Sequence, residues 1–224
     1  MFNHGSGSTG RPTRTQLDFA YLKQQAIQQI ISYEMFDVLR VPSALWHGLL
    51  PLTDGFANIL RFDTMEHSIE QWFTPIKGRQ AQLSRHYDFL NLLMIALIRL
   101  HGIYCPPRRY VPLDDPIAVA TYAVDAVQRE GACLLRATIS KAVRVSHIAQ
   151  EKGLDLTGVV FFGGGEPLTQ AKNNIIEKSG AKMVSNYSFT EAGNIGTMCN
   201  NPSTHDDFHH MANATAFIQR PVEI

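Results

Sequence analysis

Residues 158–167 read GVVFFGGGEP, and their reading sets how the rest of the chain is parsed. The first five are a continuous apolar run, the pattern of a strand buried on both faces. Gly163, Gly164 and Gly165 follow directly, and Glu166 and Pro167 open a helical stretch. In an open α/β sheet, ligands bind outside the carboxyl ends of the strands. Bare backbone at that place would let a flat ligand lie against it. The alternative is a plain strand-to-helix turn in which glycines supply unusual dihedrals.

The same grammar repeats on either side. A helix over 167–179 starts with Pro167 and stops at Gly180, and a strand over 182–185 follows. Upstream, a helix over 116–129 stops at Gly131, a strand covers 133–137, and a helix over 140–152 stops at Gly153. Alternating strands and helices imply parallel strands joined by crossover helices. The expected fold class is therefore α/β with a mostly parallel sheet, as a single domain over residues 1–224. The first half is less regular. Residues 15–40 read as a helix capped by Thr15, with Leu17, Tyr21, Ile27, Ile30, Ile31 and Met35 at helical spacing. Pro42, Pro51, Asp54 and Gly55 break that pattern, and a short strand is expected over 57–62. Residues 84–101 read as a second long helix whose apolar run, 90–100, is expected to be core.

Composition narrows the function classes. With 45% hydrophobic and 18% charged residues the chain has the makings of a packed core rather than a disordered tract. A formal net charge of zero without a Lys/Arg stripe gives no footprint for nucleic acid or an anionic membrane. Cys105, Cys133 and Cys199 are odd in number and widely spaced, which fits a reducing, cytoplasmic setting better than a disulfide framework. The opening residues are polar and no secretory signal is read in them. The run 90–100, interrupted by Asn91 and Arg99, is about half the length of a spanning segment. No membrane span is expected.

Two further segments carry candidate chemistry. Residues 5–13, GSGSTGRPT, could turn tightly enough to aim amide N–H groups and the hydroxyls of Ser6, Ser8 and Thr9 at phosphate oxygens. They are not an NTPase P-loop, because Gly10 is followed by Arg11 and Pro12 rather than Lys-Ser/Thr. The bland reading is a flexible glycine-rich end. Residues 186–193, NYSFTEAG, follow the next strand and gather a ring, hydroxyls and a carboxylate. Those groups can stack a base, hold a phosphate oxygen and hold magnesium. The bland reading there is a helix start capped by Thr190.

In this order the three segments resemble the adenylate-forming superfamily of acyl-CoA synthetases, peptide-synthetase adenylation domains and luciferases, in its phenylacetate-CoA ligase-like or acyl-protein synthetase-like branch. GSGSTGRPT resembles its phosphate loop, GGGEP its adenine-side glycine turn and YSFTEAG its Tyr-x-x-Thr-Glu motif. LPLTDGF (50–56) sits where the family carries a Leu-Pro-x-x-His-Gly-like segment beside the acyl pocket, with Asp54 replacing the histidine. The resemblance implies a partial N-terminal (large) domain that uses ATP and Mg²⁺ to convert a carboxylic acid to an acyl-adenylate. The acyl group then passes to coenzyme A or a protein thiol. Ser6, Gly7, Ser8, Thr9 and Gly10 would close over the β- and γ-phosphates, with Arg11 at the basic position. Gly164, Gly165, Glu166 and Pro167 would line the adenine and Tyr187 would stack on it. Thr190 would bind the α-phosphate and Glu191 the magnesium ion. Ser188 stands where the family usually has glycine.

The resemblance also implies about a hundred residues before the phosphate loop and a lysine-bearing C-terminal domain, neither of which this chain carries. A truncated product or one part of a split protein is the expectation, with little turnover by the chain alone and 217–221 as a strand in mid-domain. Self-association or a complementing chain would cover the faces left open, and a non-catalytic scaffold is the alternative function. The acyl pocket is expected to be lined by dispersed apolar residues. Cys199, His205, His209 and His210 have zinc-like spacing, yet a structural site wants a fourth ligand from Asp206 or Asp207. The plainer reading, a polar surface loop with one buried cysteine, is preferred. Arg108 and Arg109 could meet the phosphates of coenzyme A, or form a solvated loop between Pro107 and Pro112.

Overall fold

Short buried strands and the helices between them assemble into an eight-stranded sheet in the computed structural model, which describes residues 2–4, 14–16, 18–76, 85–189, 192–204, 207–212 and 215–218. In chain order the elements are β1 (Phe2–His4), β2 (Arg14–Gln16), α1 (Phe19–Met35), β3 (Ser43–Trp46), α2 (Asp54–Thr64), β4 (Gln71–Thr74), α3 (Arg85–Leu100) and β5 (Arg108–Tyr110). There follow α4 (Ile117–Glu130), β6 (Cys133–Arg136), α5 (Ile139–Glu151), β7 (Val159–Gly164), α6 (Gln170–Lys178), β8 (Lys182–Phe189), β9 (Gly193–Met198) and β10 (Phe208–His210). β1 and β2 form a separate antiparallel pair. The large sheet runs β10-β9-β8-β7-β6-β3-β4-β5, with β3 to β8 parallel and β9 and β10 antiparallel at one edge.

That order has one topological switch. The chain starts in the sheet at β3, moves outward through β4 to β5, and returns to the other side of β3 as β6 before moving outward again through β7 and β8. Where strand order reverses, the connections leaving β3 and β6 diverge and open a crevice at the carboxyl ends. α1 packs on α2, while α5 packs between α4 and α6. Among the described residues no helix is long and apolar enough to cross a membrane.

Most of the second half matches its sequence pattern, and five places in the first half and at the edges differ. Thr15 lies in β2 opposite Asn3, and α1 is instead capped by Asp18, whose carboxylate accepts the Tyr21 N–H at 2.8 Å. The strand expected over 57–62 is the middle of α2. β3 and β4, four residues each, are too short to display a period of two. Arg108 and Arg109 lie on edge strand β5 rather than in a loop. Residues 215–218 form no regular strand, and 219–221 lie outside the described residues.

Two helices present faces the sequence pattern did not anticipate. In α1, Ile27 and Ile31 point to solvent, while Gln25, Gln28, Gln29 and Ser32 are buried. In α3 only Asn91, Ile95 and Ile98 are buried, and Phe89, Leu92 and Leu100 stay at least 58% exposed. The run 90–100 is therefore half surface, not wholly core.

α2 is seated by Gly55, where an added Cβ would lie 2.4 Å from the Trp72 ring and 2.5 Å from the Gly48 carbonyl oxygen. Trp72 cannot yield, being fully buried, edge-on to Phe56 at 5.3 Å and donating its indole N–H to the His47 carbonyl. Gly55→Ala is expected to cost about 2–3 kcal/mol by overpacking, read as a lowered urea midpoint with an unchanged slope.

Candidate functional site

Each glycine of the turn after β7 answers to a different constraint. At Gly163 an added Cβ would lie 1.8 Å from the Ala137 carbonyl oxygen, and at Gly164 it would lie 2.3 Å from that of Asn186. Backbone of neighbouring strands, not ligand, occupies the space those two side chains would need. Gly165 has φ +86 and nothing within 4 Å of a Cβ position, so it supplies the left-handed turn and leaves its face open.

Glu166 then ties the turn down. Its carboxylate accepts the backbone N–H of Ser140 at 2.7 Å and the Ser140 hydroxyl, and pairs with Lys172 of α6 at 2.8 Å. Thr138, the residue at the N-cap of α5, makes no side-chain cap bond. Glu166 therefore caps α5 from outside, where a carboxylate meets free amides and the positive end of the helix dipole. Partial burial opposes its ionisation, but the hydrogen bonds from Lys172 and Ser140 outweigh that and hold the carboxyl below the usual glutamate range. Pro167 precedes the helix, which begins at Gln170 behind Thr169.

Two clefts open against this turn. One, of about 570 Å³, is bounded by Gly165, Glu166, Pro167 and Leu168 on one side and by Tyr187 and Phe208 on the other. Tyr187 is half exposed and its ring lies 6.3 Å from that of Phe189. It stands on β8, which runs to Phe189 rather than stopping at residue 185. β9 turns back from Gly193, so no helix starts directly after this segment.

The second cleft, of about 280 Å³, sits at the switch point, over the carboxyl ends of β3, β6, β7 and β8 and beside α1 and α2. Its wall is more polar than apolar. Arg136 ends β6 with 7% exposure, donating to the Tyr33 hydroxyl at 3.1 Å and lying 5.2 Å over the Phe162 ring. Arg61 comes from the last turn of α2, where burial and then the Arg136 charge push its pKa down to about 10. Burial, helped by Lys141, Arg136 and Arg61, keeps His47 well below the usual histidine range and therefore neutral. Lys141, bonded to the Trp46 carbonyl at 2.8 Å, is pushed down to about 8 by burial, with Asp54 opposing. The clefts share Gly165, Asn186 and Ser188.

Of the residues singled out in the sequence, Gly165, Glu166, Pro167 and Tyr187 meet around the larger cleft, and Gly164 faces the polar one. Ser6, Gly7, Ser8, Thr9, Gly10, Arg11, Thr190 and Glu191 lie outside the described residues, as do His205 and Asp206. Among the described residues no three His, Cys, Asp or Glu side chains converge on a metal position. Cys199 is only partly buried, and the Asp207 carboxylate is taken up by Ser203 and Thr204 of its own turn. Arg61 and Arg136 went unnoticed in the sequence, and His47 gives no usable signal there. Their one visible trace is QQAIQQ (24–29), a glutamine cluster too polar for the inward face of an ordinary helix.

No protein-family profile matches the chain, and no curated protein matches it in sequence. Solved structures do match in fold. An open conformation of 2-hydroxyisobutyryl-CoA ligase, in complex with 2-HIB-AMP and CoA, superposes with a TM-score of 0.54 at 14% identity, over 92% of this chain and 40% of that one. An acyl-CoA synthetase (AMP-forming)/AMP-acid ligase II-like protein from Dyadobacter fermentans gives 0.51 at 14% identity, over 94% and 47%. The fold is that of the N-terminal domain of adenylate-forming enzymes. The chain spans less than half the length of these structures.

Because the Glu166 pKa is depressed in the fold, its contribution is complete above the ordinary glutamate range and is lost as pH falls through the lowered value. Glu166→Gln is expected to cost about 1 kcal/mol at neutral pH, as for loss of a helix cap. In urea titrations the gap from the parent chain should shrink below about pH 4.

Proposed function

We propose that this chain binds the nucleotide and the acid for an ATP-dependent enzyme that converts a carboxylic acid to its acyl-adenylate. The observation that carries the reading is the pair of clefts meeting at Gly165, Asn186 and Ser188, one broad and bounded by bare backbone and Tyr187, the other small and polar. In this reading adenine lies between the Gly165–Pro167 wall and Tyr187, and the acid enters the polar cleft. The two join at the shared wall. The likeness in fold to a ligase crystallised in two states with an acyl-adenylate and CoA supports this.

The chemistry asks for electrostatics more than for a base. A carboxylate oxygen of the acid attacks the α-phosphorus, forming the new P–O bond as the bond to pyrophosphate breaks. The obstacle is the repulsion of two anions. Arg61 and Arg136 in the wall, with Lys141 close by and Asp54 opposing them, make the polar cleft a place where an anionic acid can be held close to phosphate. Thr190, Glu191 and residues 6–10 keep the phosphate and Mg²⁺ roles that the resemblance implies. Transfer of the acyl group to CoA or a protein thiol, in the phenylacetate-CoA ligase-like or acyl-protein synthetase-like branch, completes the proposal.

In a thermal-shift series, AMP and ATP are expected to raise the melting temperature and NAD to leave it unchanged. Tyr187→Ala is expected to weaken AMP binding roughly fivefold, the worth of about 1 kcal/mol of ring stacking. Stabilisation by NAD equal to that by AMP, or by no nucleotide at all, removes the reading.

A further inference from the structure

The polar cleft holds more positive charge than the reacting carboxylate of a simple acid needs. Among the described residues neither Arg61 nor Arg136 has an ion-pair partner, for the three ion pairs join Arg129 to Glu70, His147 to Glu151 and Lys172 to Glu166. Arg61 makes one long bond, to Asn58 Oδ1 at 3.4 Å, and Arg136 one bond, to Tyr33. Each guanidinium carries five donors in a fork that matches a carboxylate. The Nε of both is buried with no partner among the described residues.

The shortage of partners is local to this place. Ten buried side-chain polar atoms among the described residues lack a hydrogen-bond partner, and seven belong to residues lining this cleft: Gln29, His47, Thr53, Arg61, Arg136, Asn186 and Asn194. Buried polar groups are ordinarily satisfied, so a cluster of orphans around a cavity marks a ligand position. Among the described residues, the charged groups facing it are Arg61 and Arg136, with Lys141 near enough to act on His47, and Asp54 at the rim; His47 is neutral. Arg136 is buried and Arg61 largely so, and desolvation together with their mutual repulsion, which lowers the Arg61 pKa, is a costly arrangement that an incoming anion relieves.

Resting on the adenylation reading, we infer that the acid taken by this cleft is a small dicarboxylic acid. One carboxylate is activated at the wall shared with the nucleotide cleft, and the second is gripped by Arg61 and Arg136. The volume, about 280 Å³, lies at the small end of ligand sites, which run to roughly 1,000 Å³. A long fatty acid would leave both guanidiniums buried against hydrocarbon.

Isothermal titration of the whole chain tests this with succinate, butyrate, inorganic phosphate and AMP. Succinate is expected to bind roughly ten- to a hundredfold more tightly than butyrate, the worth of one charged, hydrogen-bonded contact. Arg61→Gln and Arg136→Gln should abolish that preference while the AMP affinity holds. With like charges reduced, Arg61→Gln should also melt higher than the parent chain in the absence of ligand, which separates lost binding from lost folding. Should a glutamine variant fail to fold, Arg61→Lys keeps the charge without the fork and should retain only part of the preference.

Equal affinity for succinate and butyrate overturns the inference. So does tight phosphate binding in which AMP displaces succinate, because the guanidiniums would then serve the nucleotide. AMP binding without any succinate preference defeats this inference alone and leaves the adenylation reading standing. Arg-dependent succinate binding without AMP binding keeps the dicarboxylate site and defeats the adenylation reading.

Discussion

Backbone of the loop leaving β6 passes so near the turn after β7 that the space of a methyl group on Gly163 is already filled by the Ala137 carbonyl. The approach brings the N-terminus of α5 to within hydrogen-bonding distance of Glu166, which supplies the cap that Thr138 does not. Lys172 draws the start of α6 to the same carboxylate. One glycine without a side chain thus lets two connections, β6 to α5 and β7 to α6, close on one another at the carboxyl ends of β6 and β7. The wall shared by both clefts, Gly165 and Asn186, follows from the same packing, since Gly164 lies so close to the Asn186 carbonyl that it too has no room for a side chain. Loosening the contact would move the walls of both clefts together.

The other governing feature is the polar interior beside α1 and α2. An amphipathic helix normally turns its isoleucines inward, yet α1 buries Gln25, Gln28 and Gln29 and leaves Ile27 and Ile31 half exposed. The reversal makes sense only next to a polar surface. Partly buried Arg61, buried Arg136 and neutral His47 provide it, with the Tyr33 hydroxyl holding one guanidinium in place. Such a wall weakens the apo fold, because desolvated charges and unpaired donors gain nothing from being inside. Folds carry such a penalty where a ligand later compensates for it.

Legibility in the sequence followed length and chemistry. Three helices and three strands of the second half were readable because their periods run long enough and glycines stand at their ends; Gly131, Gly153 and Gly180 all take positive φ where α4, α5 and α6 stop. β3 and β4 were not readable, since four buried residues show no period and resemble a helix fragment. β8 looked shorter than it is because Tyr187, Ser188 and Phe189 had been read as a loop for their chemistry, although alternating polar and aromatic residues suit an edge that pairs with β9. The stripe in α3 shows the converse error, an apolar run taken for core when half of it faces out.

By itself, then, the sequence determined the α/β alternation, the parallel sheet and the glycine turn at a strand end, because local periodicity and chain-breaking residues act over a few neighbours. The polar cleft came from tertiary structure alone. Arg61 on α2, Arg136 on β6 and His47 after β3 lie far apart along the chain and share no spacing. Only the reversal of strand order between β3 and β6 turns their connections toward one crevice, and a lone arginine in a sequence carries no sign of whether water or protein will surround it.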